Sequence, residues 1–583
     1  MKKALPLIVV AVLVAAAAWF FLKKAGTRDG QPGRAAELAP ADTIVLIDFP
    51  DVPRSKARWK ETAIRKIADE PEWREFTAKW DDFAAQNAEW REVNGVFDQL
   101  QRADPEGFFL AFNSFDGPFP KAVGGFSYRG KKSDVQAVVS SFRKRILDAY
   151  PAAKAGDLTN YEGTEIETLK DKDMTLSMAY RDNWFFFSTD NELLLKTLSR
   201  YIKKADAPAS LAGDPLWKDT IKHGKPEPDM SVFVRWGVVT KMLEDEVGKG
   251  PGPVFPSNPT QIEALLYSAR MDGLLMRDHL YMKGEKLAKA EAFANRSAAF
   301  TAPATYFYAG GHLGPYSEVF KEVITAIDKQ EVGMSKALAT KGLKSTDLIQ
   351  IFGPEIAVRS DWDDGALAIP TLFAAVEIRD REKARLVAEL LVAQMEEGKT
   401  SKSEEDGTTI WTAGGMIPAL QPTIALNDRH LMFALNLDTV KGALKRAKSG
   451  PGDVLARADF QSAVKTIAAP DVSVLYVDMK TLFERLYEKL KPMAAFGLMG
   501  QPDAAKFFDP AKLPKAETIS RHLAPMMVSY SLAEGGTQMD CSGSVSLVQS
   551  YIPLVGAALF SVKRVAPMAT PPVTPAPATP PAK

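Results

Sequence analysis

The sequence predicts an α+β fold, with one N-terminal transmembrane helix followed by two similar lobes of mostly antiparallel sheet with packed helices. Three observations predict it. A charge-free run from Ala4 to Leu22 opens the chain. The stretch RDNWFFFSTDNELLLKTL, Arg181 to Leu198, is echoed some 246 residues later by NDRHLMFALNLDTVKGAL, Asn427 to Leu444. Short apolar strands with Asp-Gly and Gly-Gly turns alternate with amphipathic helices through both halves.

The 583 residues are too many for one core and imply two or three domains. Lys and Arg number 73, as do Asp and Glu, so the formal net charge is zero. That balance argues against nucleic acid as a partner, which selects a basic face. The single cysteine, Cys541, permits no intramolecular disulfide and no cysteine-based zinc site. It is expected as a small residue packed in a strand.

The opening element, residues 1–24, reads as a membrane anchor. Lys2 and Lys3 precede the apolar run; Lys23 and Lys24 follow it. At about 1.5 Å per residue the run nearly spans a ~30 Å hydrocarbon core. Ala16 and Ala18 would suit a signal-peptide cut, but Trp19-Phe20-Phe21-Leu22 continues the run beyond it, and a Trp followed by lysines marks an interfacial end. The anchor is expected to be retained. Residues 25–37 are Gly- and Pro-rich and read as a linker.

Lobe one is expected over 38–290 and lobe two over 291–550. In the echo, Phe185, Phe186 and Phe187 face Leu431, Met432 and Phe433. Leu194 and Leu198 match Val440 and Leu444, four apart on one helical face. Upstream, Lys121 to Phe142 matches Thr371 to Leu391, each a strand, a charged turn and a helix. Downstream, Trp217 matches Phe460, and the strand from Ser231 is aligned with that from Ser473. Both halves close on a hairpin, with turns at Asp272-Gly273 and Gly535-Gly536.

One insertion, 70–101, is expected to be mostly helical and to have no counterpart in lobe two. Trp73, Phe76, Trp80, Phe83 and Trp90 recur at spacings that keep them on one face. They are expected to be mostly buried within the protein, and are the candidate interaction face if they are not. Residues 551–565 read as a terminal apolar helix too short to span, and 566–583 as a Pro-rich disordered tail.

The chemistry-bearing motifs fall away one by one. Gly124 to Asp134 resembles a phosphate loop, but Lys132 stands where Ser or Thr must hold magnesium. Ser360 to Gly365 suggests a calcium loop, but Leu372 stands where its bidentate acid belongs. The histidines at 223, 279, 312, 430 and 522 are too far apart for a local metal pair. His430 is expected to pack in a strand. Asp48 and Asp51 follow a buried strand; turn formation and helix capping explain them better than acid–base work. No catalytic residue, cofactor or metal ligand is expected.

The segment LAPADTIVLIDFPDVPRSKARWKETAIRKIADEPEWREF, Leu38 to Phe76, resembles the opening of uncharacterised bacterial membrane-anchored envelope proteins with a duplicated α/β domain of unknown function. The resemblance rests on 39 residues. It implies an envelope location and supplies no catalytic residues. The expectation is a single-pass inner-membrane protein with its bulk outside the cytoplasm, a non-enzymatic protein acting by surface interaction or scaffolding. Its partners would be the membrane, through the N-terminal helix, and an envelope protein or lipid. Two alternatives stand: a binder of an apolar ligand or lipid between sheet and helices, and an enzyme with a site assembled at the lobe interface.

Overall fold

The computed structural model describes residues 34–87, 95, 98–116, 119–149, 152–156, 158–172, 175–203, 206–247, 261–284, 293–314, 333–363, 369–395, 400–414, 420–450, 452–499 and 509–546. The expected anchor 1–24, Trp90, and the segments 551–565 and 566–583 lie outside these. Among the described residues no helix is long and apolar enough to cross a membrane.

The fold is α+β, built on one large antiparallel sheet. Its first-half strands are β1 (Val45–Phe49), β2 (Pro105–Ser114), β3 (Lys121–Tyr128), β4 (Lys154–Ala155), β5 (Thr159–Tyr161), β6 (Thr164–Lys170), β7 (Thr175–Arg181), β8 (Trp184–Ser188), β9 (Met230–Val234), β10 (Ala264–Asp272) and β11 (Leu275–Lys283). The second half supplies β12 (Thr305–His312), β13 (Phe352–Asp361), β14 (Phe373–Ile378), β15 (Thr400–Glu405), β16 (Thr408–Ala413), β17 (Thr423–Leu426), β18 (His430–Ala434), β19 (Ser473–Val477), β20 (Met526–Ala533) and β21 (Gly536–Gly543).

The ladders form one open series, and its two ends are not paired with each other among the described residues. The halves join where β11 pairs with β21, and His279 stands opposite Asp540 there. Outward from that pair, one side runs β11, β10, β9, β1, β2, β3, β8, β7, β6, β5. The other runs β21, β20, β19, β12, β13, β14, β18, β17, β16, β15. Each strand of one list has the same neighbours as its counterpart in the other, except that β6 also pairs with the short β4.

Register repeats as well as order. One cross-strand row reads Phe186, Gly125, Phe109, Asp48, Ser231, Ser268, His279. Beyond the junction it reads Asp540, Ser529, Val474, Gly310, Ala357, Ala375, Met432. Phe186 and Met432 therefore hold equivalent places, as the echo predicts. Ser231 does not match Ser473: the register sets Ser231 against Val474 and Phe233 against Tyr476. The reason is packing. Phe233 meets Trp217 edge-on at 5.2 Å, and Tyr476 meets Phe460 edge-on at 5.1 Å. A one-residue slip would turn those rings to the opposite face.

A part-buried ion pair repeats with its signs exchanged. Arg235 bonds Asp214 at 3.1 Å, and Asp478 bonds Arg457 at 2.6 Å. In each half one partner follows the equivalent strand, β9 or β19, and the other precedes the short helix Pro215–Ile221 or Ala458–Val464. The outer hairpins also correspond. Glu162-Gly163 and Asp406-Gly407 both have positive φ, the backbone that two-residue turns between twisted strands favour.

Helices cover both faces. Ala35–Leu38, Asn191–Lys203 and Pro215–Ile221 pack on the row-bearing face of the first half, where Leu38, Leu46, Phe186, Leu194 and Leu198 are buried together. Val440 of Leu437–Ala447 packs with Met432 on the matching face of the second half. On the reverse face, Phe185 packs with Val135 of the helix Lys132–Ala149, and Leu431 with Val387 of Arg381–Ala393.

Two boundaries differ from expectation. Residues 34–37, assigned to the linker, belong to the fold, because Ala35 and Leu38 are buried. The 70–101 insertion sits in the β1–β2 connection, and the equivalent β12–β13 connection also carries a helix, Gly333–Thr340. The insertion is thus an elaboration of a shared connection.

Candidate functional site

β1 reads VLIDF. Alternation turns Val45, Ile47 and Phe49 into one apolar cluster and Leu46 into another. Asp48 shares the Leu46 face, between Phe109 and Ser231 on the flanking strands. It makes no hydrogen bond or ion pair with any described residue. Burial pushes its carboxyl up to about 7. Protein atoms surround it, yet it is only part-buried by accessible area, because the space it touches is a cavity.

Two cavities share Asp48 in their linings, and the Ala35–Leu38 helix lines one through Ala35 and the other through Ala36. The smaller, about 120 Å³, is lined by Arg34, Glu106, Phe109, Trp184 and Tyr201. The larger, about 550 Å³, is lined by Arg54, Trp217, Lys225, Ser231 and Ser268. Asp51 lines it too but is fully used: it caps the helix Val52–Trp59, accepting the Arg54 amide at 2.9 Å. Capping accounts for Asp51 as expected. It does not account for Asp48.

At the junction, His279 Nδ1 lies 2.7 Å from Asp540 Oδ1. Asp540 Oδ2 accepts the Ala468 amide at 3.0 Å. Burial acts to raise the Asp540 carboxyl, but the His279 hydrogen bond and the charges of His279 and Lys225 outweigh it and hold it below its usual range. Ser268 follows His279 in the row, so serine, histidine and aspartate occupy three adjacent strands. They do not form a nucleophile and base. Ser268 Oγ and His279 Nε2 are both buried without a hydrogen-bond partner, so no proton path joins them. Ser529, in the equivalent place beyond Asp540, is likewise unpartnered. The serines belong to the repeated register. No group of three metal-ligating side chains occurs among the described residues.

The helix Pro71–Gln86 presents the aromatic stripe. Trp73, Phe76, Trp80 and Phe83 are half-buried, and none joins a core cluster. These four rings are more covered than exposed yet stand outside the core clusters; Trp90 lies outside the described residues. The rings pair along the helix itself, Trp73 with Phe76 and Trp80 with Phe83, each at 5.9 Å. What docks the helix is charge. Glu72 accepts from the Lys515 amide at 2.9 Å and Thr518 Oγ1 at 2.7 Å, and Glu70 holds Arg521 and His522. These contacts join the first half to the second. An apolar-periodicity reading misses them because the docking residues lie on the polar face.

Other motifs resolve structurally. Gly124 lies in β3, and a Cβ there would come 2.6 Å from the Phe187 ring, so the glycine serves close packing. His430 sits in β18 with its ring edge-on to Phe300 at 5.0 Å, and burial lowers its pKa to about 4. Cys541 is buried in β21.

No protein-family model and no curated protein matches this chain. Among solved structures, crystal form IV of TP0453 overlaps 44% of this chain and 81% of its own at 12% identity, with a TM-score of 0.24. Crystal form III overlaps 44% and 82% at 11% identity, with a TM-score of 0.25. Crystal form I overlaps 46% and 82% at 11% identity, with a TM-score of 0.24. Overlap at those scores carries no argument about function.

Proposed function

We propose that this chain is a membrane-anchored extracytoplasmic protein of the bacterial envelope that acts by surface interaction, as a scaffold, and not by catalysis. The observation that supports it is the continuity of the sheet through both halves. At about 4.8 Å per strand such a series runs on the order of 80–90 Å around its curve. Helices stiffen both faces, and Pro71–Gln86 is tied by Glu70 and Glu72 to the second half. A long, stiff body with a partly exposed aromatic edge suits holding partners in place better than closing on a substrate. The shared strand order, shared register and exchanged ion pair support reading the halves as two similar lobes, about 38–290 and 291–550, that arose by duplication. The partner at Trp73, Phe76, Trp80 and Phe83 is an envelope protein or lipid.

Two measurements in cells test this. Protease added to spheroplasts should degrade the chain while leaving it intact in unbroken cells; protection in spheroplasts contradicts the extracytoplasmic placement. A photo-crosslinking residue at Trp80 should give a discrete adduct that one at the exposed Lys222 does not. The absence of any adduct from Trp80 removes the interaction face.

A further inference from the structure

We infer that the first half carries a binding site for a small organic ammonium ion, its charged head held against Asp48 between the two cavities. The argument begins with charge. Every other charged side chain lining the cavities that bears on the inference is already paired. Arg34 bonds Glu37 at 2.9 Å and also lies over the Tyr201 ring. Glu106 faces Arg129 at 3.5 Å, and Asp51 faces Arg54 at 3.7 Å. Lys225 faces Asp540 at 3.5 Å, and Glu227 bonds Arg58 at 2.9 Å. Among the described residues Asp48 alone of these has no partner, so its ionised form has no counter-charge in the fold. A buried carboxylate in that condition is costly unless a cation or a proton neutralises it.

The walls select the kind of cation. Phe109, Trp184 and Tyr201 line the smaller cavity, and Trp217 and Leu266 the larger. A divalent metal needs several oxygen ligands gathered on one point, and among the described residues no three metal-ligating side chains gather so; Glu106, Asp51 and Glu227 in the linings are each held by an arginine. An alkylammonium needs one counter-charge and aromatic faces, because the ring quadrupole attracts a weakly hydrated cation. The smaller cavity takes the head, and the larger takes the remainder of the molecule.

The second half is the internal control. Gly310 holds the place of Asp48 in the same register. Tyr308, in the place of Leu46, hydrogen-bonds Asn295 over that glycine, and a Cβ on Gly310 would lie 2.5 Å from the tyrosine hydroxyl. Where the repeat lacks the acid, the same scaffold fills the space. Where it has the acid, the space stays open.

The ammonium could belong to a soluble amine or to a lipid headgroup, and the test separates them. The full chain in detergent is titrated calorimetrically with choline and with ethanolamine, then with micelles containing phosphatidylethanolamine, with acetate as the anion control. Saturable binding of either free amine supports the inference and names a soluble source. Binding confined to the headgroup micelles supports it and names lipid. Asp48→Asn should weaken binding at least about tenfold while the chain melts normally. Should that variant misfold, the parent decides: its affinity should drop about tenfold per pH unit as Asp48 takes up its proton below neutrality. Absence of saturable binding by all three ammonium-bearing probes overturns the inference. So does unchanged affinity in Asp48→Asn, or a parent affinity that does not move with pH.

Discussion

Replacing Asp48 with Asn should stabilise the protein above neutral pH. The carboxyl rises from 3.8 to about 7 on folding. A pKa unit corresponds to about 1.36 kcal/mol, so the full shift corresponds to about 4 kcal/mol. The sign follows from proton uptake. Between pH ~4 and ~7 the folded chain holds the Asp48 proton and the unfolded chain has released it. Stability from this group is therefore full below the unfolded pKa and is lost as pH rises through about 7. Asn carries no such titration. Urea unfolding of the full chain in detergent, followed by tryptophan fluorescence, should give nearly equal first transitions for parent and Asp48→Asn near pH 4, where the folded and unfolded chains both hold the proton. At pH 8 the variant's transition should lie higher. A variant that is equally destabilised at both pH values refutes the reasoning, because it would mean that the ionised carboxylate has a partner in the fold.

Trp80→Ala should cost only about 1 kcal/mol in a thermal melt, since the ring is half-buried, and not the ~3–5 kcal/mol of a core aromatic. A loss in the core range would place the ring in the interior. A double-mutant cycle on Arg235 and Asp214 should return a coupling of about 1–2 kcal/mol, and the exchange Arg235→Asp with Asp214→Arg should recover part of what either reversal loses, since Arg457 and Asp478 already use the opposite polarity. Additive single effects would remove that expectation. Gly310→Ala should destabilise by about 1–3 kcal/mol in chemical denaturation, because the added methyl meets the Tyr308 hydroxyl; a neutral result would show that Tyr308 moves aside freely.

The echo between Arg181–Leu198 and Asn427–Leu444 was legible because strand alternation and helical periodicity are local. Phe185 and Phe187 against Leu431 and Phe433 follow from spacing alone, whereas the structure places Leu194 and Leu198 on the opposite sheet face. Matching serines misled the alignment of Ser231 with Ser473, since register is fixed by the packing of Phe233 and Tyr476 and not by a shared small residue. The repeat of Arg34–Leu38 in the equivalent helix Arg296–Phe300 went unread, because four or five residues of helix have too little periodicity to stand out beside a Gly- and Pro-rich stretch.

By itself, the sequence determined the α+β class, the antiparallel hairpins, the position of the echo and the aromatic spacing of the helix after Pro71. Tertiary structure alone decided that His279 faces Asp540, 261 positions later, and that the aromatic stripe is half-buried. It also decided that Asp48, in β1 three residues before the Asp51 cap, has no hydrogen-bond or ion-pair partner among the described residues. The physical reason is that periodicity depends on near neighbours in the chain, whereas desolvation and pairing depend on neighbours in space. Those are set by cross-strand register between segments the chain brings together only when the whole sheet closes its ladders.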